Sequence, residues 1–229
     1  MEIIKKIGFC YLLLLTLQSG YAQLRINEPA NGVFKISEGK TDEFTPEKFR
    51  EKEADIEALK QLPKGDLPFD ISEIAININE RGCEIAIPLD DDEQLYGFGL
   101  QVGSFNQTGL RKMPIVNDYS LNNLGYTHAP LPYYVSNKGY AILVNTSRYT
   151  TFYCGRNQPK SMEATMENRP AETKLSVEEL YQIKVSGRNN VLVDIKGAEG
   201  IEIFVFTATD MLGAIQRYNL FAGGGALPA

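Results

Sequence analysis

The chain has 229 residues, of which 43% are hydrophobic and 23% are charged, and its formal net charge is −6. This composition is typical of one sizeable globular domain, and an acidic balance without a basic cluster argues against a nucleic-acid partner. One histidine and three cysteines leave little material for a metal site or a cysteine–histidine nucleophile. We therefore expect neither a metal nor a cofactor.

The first 22 residues have the pattern of a secretory signal peptide. Lys5 and Lys6 give a positive start, residues 7–17 are an apolar run too short to span a bilayer, and Ala22 is a small residue suited to cleavage. The pattern predicts cleavage after Ala22 and a periplasmic or secreted protein. The rest of the sequence has no apolar run long enough for a membrane helix, so no membrane partner is expected.

Residues 23–70 are predicted to form an extended lead-in with one surface helix. Residues 32–37 favour a short strand. The helix is predicted from residue 46 to about residue 61, because Thr45 suits the N-cap and Pro46 suits the first helical position. Its apolar residues are sparse, and its other face is charged.

From residue 71 onwards the apolar residues recur with a period of two, which is typical of β-strands. The predicted strands cover residues 71–79, 83–89, 95–103, 139–145, 148–155, 176–187, 189–197 and 200–208. Short strands separated by glycine-containing turns predict a mainly β fold, an antiparallel β-sandwich over residues 71–209. Residues 210–229 favour a helix capped by Asp210, followed by a glycine run typical of a connection between domains.

Three local patterns have two interpretations each. Export would permit a disulfide between Cys83 and Cys154, but the two cysteines also suit buried apolar positions. The acidic run at residues 90–93 suits a calcium loop or a solvated turn, and the central glycine of a calcium loop is missing. His128, the one histidine, suits a hydrogen-bonded structural position better than a catalytic one.

The stretch EQLYGFGLQ, residues 93–101, places two aromatic residues among two glycines, and we call it the aromatic–glycine segment. Gly97 and Gly99 permit a close approach of two backbones and an unusual backbone angle. With that unusual angle between them, Tyr96 and Phe98 should face opposite sides of the strand. The aromatic rings would then either pack in a core or present a surface on which a sugar ring could stack.

The aromatic–glycine segment resembles a motif in the amino-terminal, galactose mutarotase-like β-sandwich domain of glycoside hydrolase family 31, the α-glucosidase and α-xylosidase family. Three further stretches resemble family motifs in the same order: KMPIVNDYS at residues 112–120, the stretch 126–152, and the stretch 210–228 that would lead into the catalytic barrel. Together the resemblance covers roughly residues 70 to 228.

The resemblance implies a secreted retaining α-glycosidase whose two catalytic aspartates lie on a (β/α)₈ barrel. Neither aspartate has a counterpart here, so no catalytic residue is assigned and the chain alone is expected to be inactive. The domain would brace the barrel, its partner in cis, and shape the entrance for an α-linked oligosaccharide. Asp118 and Asn117 match the loop that reaches the substrate, although Val116 stands where the family has an aromatic residue.

Other interpretations remain beside this one. Asp118 or Asn117 could cap a turn, and Tyr133 and Tyr134 suit packing in a core or a domain interface. The chain could also be a free-standing carbohydrate-binding module, although it contains no tryptophan, the side chain most suited to stacking on sugars. A third possibility is a domain with a non-enzymatic role in assembly.

Overall fold

The structure is a computed structural model, which describes residues 24–63, 65–101, 103–116, 125–155 and 190–224. Within these ranges the chain forms two antiparallel β-sheets that share one core. The predicted fold class, a mainly β sandwich with few helices, is therefore confirmed. The strand predicted at residues 176–187 lies outside the described residues.

Eleven strands and two helices lie in the described ranges. In chain order the strands are β1 (Arg25–Ala30), β2 (Val33–Gly39), β3 (Ala75–Asn79), β4 (Gly82–Pro88), β5 (Leu95–Gly97), β6 (Arg111–Lys112), β7 (Tyr133–Ser136), β8 (Tyr140–Val144), β9 (Thr150–Cys154), β10 (Asn190–Lys196) and β11 (Gly200–Thr207). The helices are α1 (Ile56–Gln61) and α2 (Met211–Phe221), and a 3₁₀ turn covers Ile71–Glu73. Neither of these two helices has the length and hydropathy needed to cross a membrane.

The two sheets differ in size and in how deeply they are buried. The larger sheet has the strand order β1-β2-β11-β8-β7-β5, and the smaller sheet has the order β3-β4-β10-β9-β6. Strand β11 lies between β2 and β8, and all eight of its residues are buried. Consecutive residues of a strand face opposite sides of a sheet, so the larger sheet is covered on both faces along β11.

The core between the sheets is built from alternate residues of their strands. The register places Ile85 opposite Val193 and Val193 opposite Phe152, so these three side chains form a row on the inner face of the smaller sheet. All three are fully buried, and Ile142 and Ile203 of the larger sheet belong to the same cluster. Each such side chain contributes about 1.5–3 kcal/mol through burial.

The two helices cover the outer face of the larger sheet. Phe204 and Phe206 of β11 pack against Phe221 of α2, with ring centroids 5.1 and 5.6 Å apart. Leu59 is the buried side chain that α1 adds to this second cluster. Helix α2 begins where the sequence predicts, because the Asp210 carboxylate accepts a hydrogen bond from a backbone N–H in its first turn.

The helix predicted over residues 46–61 is wrong in its first half. Residues 46–49 form a single turn, and the helix itself is the shorter α1. Between them the chain binds the end of α2, where the Arg50 guanidinium donates a hydrogen bond to the Phe221 carbonyl at 3.1 Å and lies over the Phe221 ring. These tertiary contacts outweigh the weak helix propensity of a charged stretch with few apolar residues.

Two strands lie within the predicted lead-in of residues 23–70. Strand β2 pairs with β11 over seven consecutive residues, from Val33 opposite Phe206 to Gly39 opposite Gly200. The larger sheet therefore includes chain from β1 onwards and does not begin at residue 71. The sequence gives little sign of β1, because five of its six residues are exposed and no apolar alternation results.

Two other predicted strands are shorter than expected. The stretch 71–79 begins with the 3₁₀ turn, because the Asp70 carboxylate accepts a hydrogen bond from the Ser72 N–H, and only β3 is extended. The stretch 95–103 is a strand only over β5. The predicted stretch 83–89 matches β4 to within one residue at each end, and the stretches predicted at 139–145, 148–155, 189–197 and 200–208 contain β8, β9, β10 and β11.

Cys83 and Cys154 are free, buried thiols of the smaller sheet. They lie on β4 and β9, on opposite sides of β10, where their pairing partners are Ile195 and Val191. Two strand spacings of roughly 4.8 Å and an offset of four residues along β10 exceed the distance of roughly 7 Å that a disulfide permits between Cα atoms. The interpretation as buried apolar side chains is therefore confirmed.

Alkaline pH is expected to destabilise the domain through these thiols. Burial raises the pKa of each from 9.0 to about 12, so above pH 9 the unfolded chain loses protons that the folded chain keeps. The free energy of unfolding should then fall as pH rises, by about 1.4 kcal/mol per pH unit for each thiol. Urea unfolding from neutral pH upwards measures this slope, and a Cys83→Ala/Cys154→Ala variant should reduce it. An unchanged slope in that variant would contradict the prediction.

Candidate functional site

The predicted binding residues Asn117 and Asp118 lie outside the described residues, but the chain on either side of them is described. Val116 and Thr127 form a parallel bridge, and the Thr127 N–H donates a hydrogen bond to the Ile115 carbonyl at 3.1 Å. The Met113 N–H donates to the Gly125 carbonyl at 2.8 Å. These contacts hold the two ends of segment 117–124 side by side, and we call residues 113–116 and 125–127 the base of this segment.

The aromatic–glycine segment packs against this base and against the residues that follow it. The buried Thr127 hydroxyl donates a hydrogen bond to the Leu100 carbonyl at 2.6 Å. Gly99 lies so close to the Ala129 carbonyl that a Cβ atom on Gly99 would overlap its oxygen. The close backbone approach that the two glycines predict therefore occurs, and it joins this segment to the chain that carries Asp118.

The backbone angles of the segment also follow the prediction. Gly97, Phe98 and Gly99 have φ values of +124°, +64° and +94°, in the region where L side chains are strained. The Phe98 N–H donates a hydrogen bond to the Tyr133 carbonyl at 2.8 Å, which fixes the turn to the start of β7. Three successive residues with positive φ end β5 and direct the chain towards Thr127.

The two aromatic residues of the segment face opposite sides, as expected from an unusual backbone angle. Residues two apart share a face in a regular strand, but the positive φ values of Gly97 and Phe98 turn the chain between them. Phe98 is fully buried in the core between the sheets, with its ring centroid 5.6 Å from that of Tyr134 and 4.9 Å from that of Phe152. Tyr96 is half-buried, and its ring lies 5.0 Å from the ring of Phe105, which is 78% exposed. Phe98 is therefore a core residue, and of the two rings only Tyr96 borders an exposed aromatic surface.

A buried lysine beside the base was not foreseen from the sequence. Lys112 is 8% exposed, and its ammonium group donates a hydrogen bond to the Gln101 side-chain oxygen at 2.5 Å. The Gln101 amide donates in turn to the Phe98 carbonyl at 3.2 Å. Burial lowers the pKa of Lys112. Lys112 lies on β6 directly opposite Phe152 of β9, whose side chain faces the core. Side chains of paired residues lie on the same face of a sheet, so this pairing is the signal that Lys112 faces inward.

The acidic run at residues 90–93 is held by contacts within the chain. Asp92 forms an ion pair of 2.7 Å with Lys138, and this contact lowers the pKa of the Asp92 carboxyl. Glu93 is buried, and its carboxylate accepts hydrogen bonds from the Asp90 N–H and the Ser136 hydroxyl. No group of three potential metal ligands occurs among the described residues. The turn is solvated at its tip and anchored in the core by Glu93.

Tyr133, Tyr134 and His128 occupy three different environments. Tyr134 is fully buried between the sheets, whereas Tyr133 packs under α2 with its ring centroid 4.3 Å from that of Tyr218. Core packing is therefore the correct interpretation for both tyrosines. His128 is half-buried, next to the base of segment 117–124.

Comparison with known families identifies the domain. Residues 16–152 match the family model described as the glycosyl hydrolase 31 N-terminal galactose mutarotase-like domain. The match covers more than half of the chain and includes both the aromatic–glycine segment and segment 117–124. The chain belongs to this family. The contacts between the aromatic–glycine segment and the base of segment 117–124 therefore lie within the residues that match the galactose mutarotase-like domain.

Solved structures share the fold of this galactose mutarotase-like domain. A mutant GH31 dextranase from Flavobacterium johnsoniae in complex with isomaltotriose has a TM-score of 0.54 and 13% identity, with 92% of this chain and 27% of the dextranase chain covered. The same dextranase with glucose has a TM-score of 0.51 and 14% identity, with 90% and 26% covered. The domain thus spans about a quarter of the dextranase, and no curated protein matches it.

Proposed function

We propose that this domain is the amino-terminal supporting domain of a secreted, retaining α-glycosidase that acts on an α-linked oligosaccharide. The match of residues 16–152 to the GH31 amino-terminal domain family carries the proposal. The fold that the domain shares with a GH31 dextranase agrees with it. The pattern of a signal peptide over the first 22 residues supports export.

The chemistry of retention assigns different tasks to the two parts of such an enzyme. Retaining glycosidases need two carboxyl groups about 5 Å apart, one to attack the anomeric carbon and one to protonate the leaving oxygen. In the proposed enzyme both belong to the (β/α)₈ barrel. The amino-terminal domain contributes no catalytic residue, and it braces the barrel and shapes the substrate entrance.

Within this proposal Asp118 and Asn117 bind the substrate. A carboxylate accepts hydrogen bonds from sugar hydroxyl groups, and an amide side chain both accepts and donates them. The paired backbones of the base, fixed by Thr127 and Gly99, support the idea that segment 117–124 presents these side chains from a rigid platform. Rigid support lowers the entropy that a binding site loses when its ligand binds.

The proposed function is tested by reading the coding DNA beyond the codon for Ala229 and assaying the encoded protein. We expect a reading frame for a (β/α)₈ barrel and hydrolysis of isomaltotriose with retention of anomeric configuration. Absence of a barrel frame, together with binding of isomaltotriose by the purified chain, would instead favour a free-standing carbohydrate-binding module. Absence of a barrel frame without sugar binding would leave a domain for assembly.

In the proposed enzyme, Asp118→Ala is expected to raise KM by about ten- to hundredfold, because a hydrogen bond to a charged group is worth about 1.5–3 kcal/mol. We expect kcat to change less, since the carboxylate would contact sugar away from the reacting bond. Steady-state kinetics on isomaltotriose measures both constants, with Asp66→Ala, an exposed carboxylate in another loop, as the control. An unchanged KM with a lower unfolding temperature would show that Asp118 caps a turn.

A further inference from the structure

A second concave surface lies at one end of the sandwich, outside the residues discussed so far. The stretch of residues 40–48 and the connection between β8 and β9 enclose a groove of about 640 Å³. Backbone and side-chain hydrogen bonds attach the stretch to the sandwich: the Lys40 N–H donates to the Glu199 carbonyl at 3.0 Å and the Glu47 N–H to the Asn145 side chain at 3.0 Å. We call this surface the Phe44 groove.

An exposed aromatic pair borders the Phe44 groove. Phe44 lines the groove and is 60% exposed, and Phe49 beside it is 63% exposed. Their rings are parallel, with an interplanar angle of 6° and centroids 5.7 Å apart. Two large exposed apolar side chains in contact are the kind of patch that marks an interaction site. The stacking also holds the Phe44 ring in a fixed orientation, which lowers the entropy lost on binding a ligand.

The charged side chains of the Phe44 groove are balanced and largely occupied by one another. The Asp42 carboxylate accepts hydrogen bonds from Arg148 at 2.7 Å and from Thr146 at 2.8 Å. Lys40 pairs with Glu199 at 3.0 Å. Three basic and three acidic side chains line the groove in the described structure: Lys40, Lys48 and Arg148 against Asp42, Glu43 and Glu199. Such a groove has no excess charge with which to select an ion.

The remaining polar groups suit a ligand rich in hydroxyl groups. Thr41 and Ser147 line the groove, and a hydroxyl side chain can both donate and accept a hydrogen bond. The exposed Glu43 carboxylate adds an acceptor. A flat aromatic face, balanced charge and side chains of both hydrogen-bonding kinds match the two sides of a sugar ring, one apolar with C–H groups and one hydroxylated.

The Phe44 groove and the base of segment 117–124 open at the same end of the larger sheet. The register places Leu143 near the end of β8 opposite Tyr133 at the start of β7, and Tyr134 opposite Gly97 at the end of β5. The chain then continues from β8 into the groove, and from β5 into residues 98–101, where the Leu100 carbonyl accepts a hydrogen bond from Thr127 of the base. Two strand steps, or roughly 10 Å in the plane of the sheet, separate these two exits.

On the basis of the function proposed above, we propose that the Phe44 groove binds a neutral oligosaccharide, with a sugar ring stacked on Phe44. The groove opens at the same end of the larger sheet as the base of segment 117–124, so one chain of sugars can contact both the groove and the base. The groove is then a distal binding site that holds the part of an oligosaccharide remote from the bond to be cleaved.

The test measures binding of isomaltotriose to the purified chain by saturation-transfer NMR and calorimetry. Phe44→Ala is expected to weaken binding by about tenfold, the upper range for one aromatic contact. The unfolding temperature should change little, because the ring is 60% exposed and loses only its stacking on Phe49. Phe44→Tyr keeps the aromatic face and should bind within about twofold of the original chain. Phe105→Ala removes a ring that is 78% exposed and does not line the groove, so it should leave binding unchanged.

Several outcomes would overturn the proposal. These are equal binding by Phe44→Ala and the original chain, equal loss in Phe44→Ala and Phe105→Ala, and no binding of isomaltotriose, maltotriose or cellotriose. Tighter binding of acidic trigalacturonate than of these neutral sugars would contradict the argument from balanced charge. None of these results bears on hydrolysis by the encoded enzyme, so the distal site can fail while the proposed function stands.

Discussion

Gly99→Ala is expected to destabilise the domain by about 3–5 kcal/mol, because it adds a strained backbone angle to a steric overlap. Gly99 has a φ of +94°, and a Cβ atom there would meet the Ala129 carbonyl oxygen and the Thr127 hydroxyl. The backbone of this segment has no room to move away, because the Phe98 N–H is hydrogen-bonded to the Tyr133 carbonyl. Urea unfolding of the purified chain measures the loss.

Gly109→Ala provides the matched control. Gly109 has a similar positive φ of +79°, but nothing lies within 4 Å of the position that a Cβ atom would take. Gly109→Ala therefore introduces only the strained backbone angle, without a steric overlap, and should lower the free energy of unfolding by about 1–2 kcal/mol. The difference between the two variants isolates the close approach to Ala129. Equal losses would mean that the neighbouring backbone relaxes, and that the base of segment 117–124 is not held as tightly as the contacts indicate.

Arg217→Met is expected to destabilise the domain by about 3 kcal/mol, because it leaves two carbonyl groups without their donor. Arg217 is 1% exposed, and its guanidinium donates hydrogen bonds to the carbonyls of Asn31 and Pro63. It thereby ties α2 to the turn between β1 and β2 and to the chain after α1. Burial lowers the pKa of Arg217, and Glu28 partly opposes this effect.

The control for Arg217→Met is the same substitution at Arg25. Arg25 lies on the exposed edge strand β1, where replacing an arginine changes the free energy of unfolding by about 0.5 kcal/mol or less. Removing a buried charge also recovers desolvation energy, so the sign of the Arg217→Met effect is informative. A variant as stable as the original chain would show that this recovery offsets the two lost hydrogen bonds.

How well the sequence predicts each element depends on how its side chains are exposed. The stretches around β4 and β10 have one buried and one less buried face, so their apolar residues alternate and reveal a strand. Strand β7 is buried on both faces and follows prolines, whereas β1 is almost wholly exposed. Neither of these two strands has a periodic pattern. Helix α2 was predictable because Asp210 marks its start and the period of its apolar residues is helical.

The candidate site was predictable in outline and not in its contacts. The family resemblance indicates Asp118, and its role in binding the substrate stays a prediction. The glycines of the aromatic–glycine segment indicated a close backbone approach, but only the fold shows that the partner of Gly99 is Ala129. Lys112 was missed because lysine is ordinarily exposed, and its burial follows from pairing between β6 and β9, two strands about 40 residues apart.

The position of β2 between β1 and β11 determines when the domain can fold. Residues 33–39 are among the first parts of the sheet to be synthesised, but their partners in β11 are residues 200–206. Because protein synthesis adds about 5–20 residues per second, β11 is made roughly ten seconds or longer after the β1–β2 hairpin. Contacts of such long range make folding slow, so the larger sheet of this domain stays incomplete until β11 has left the ribosome.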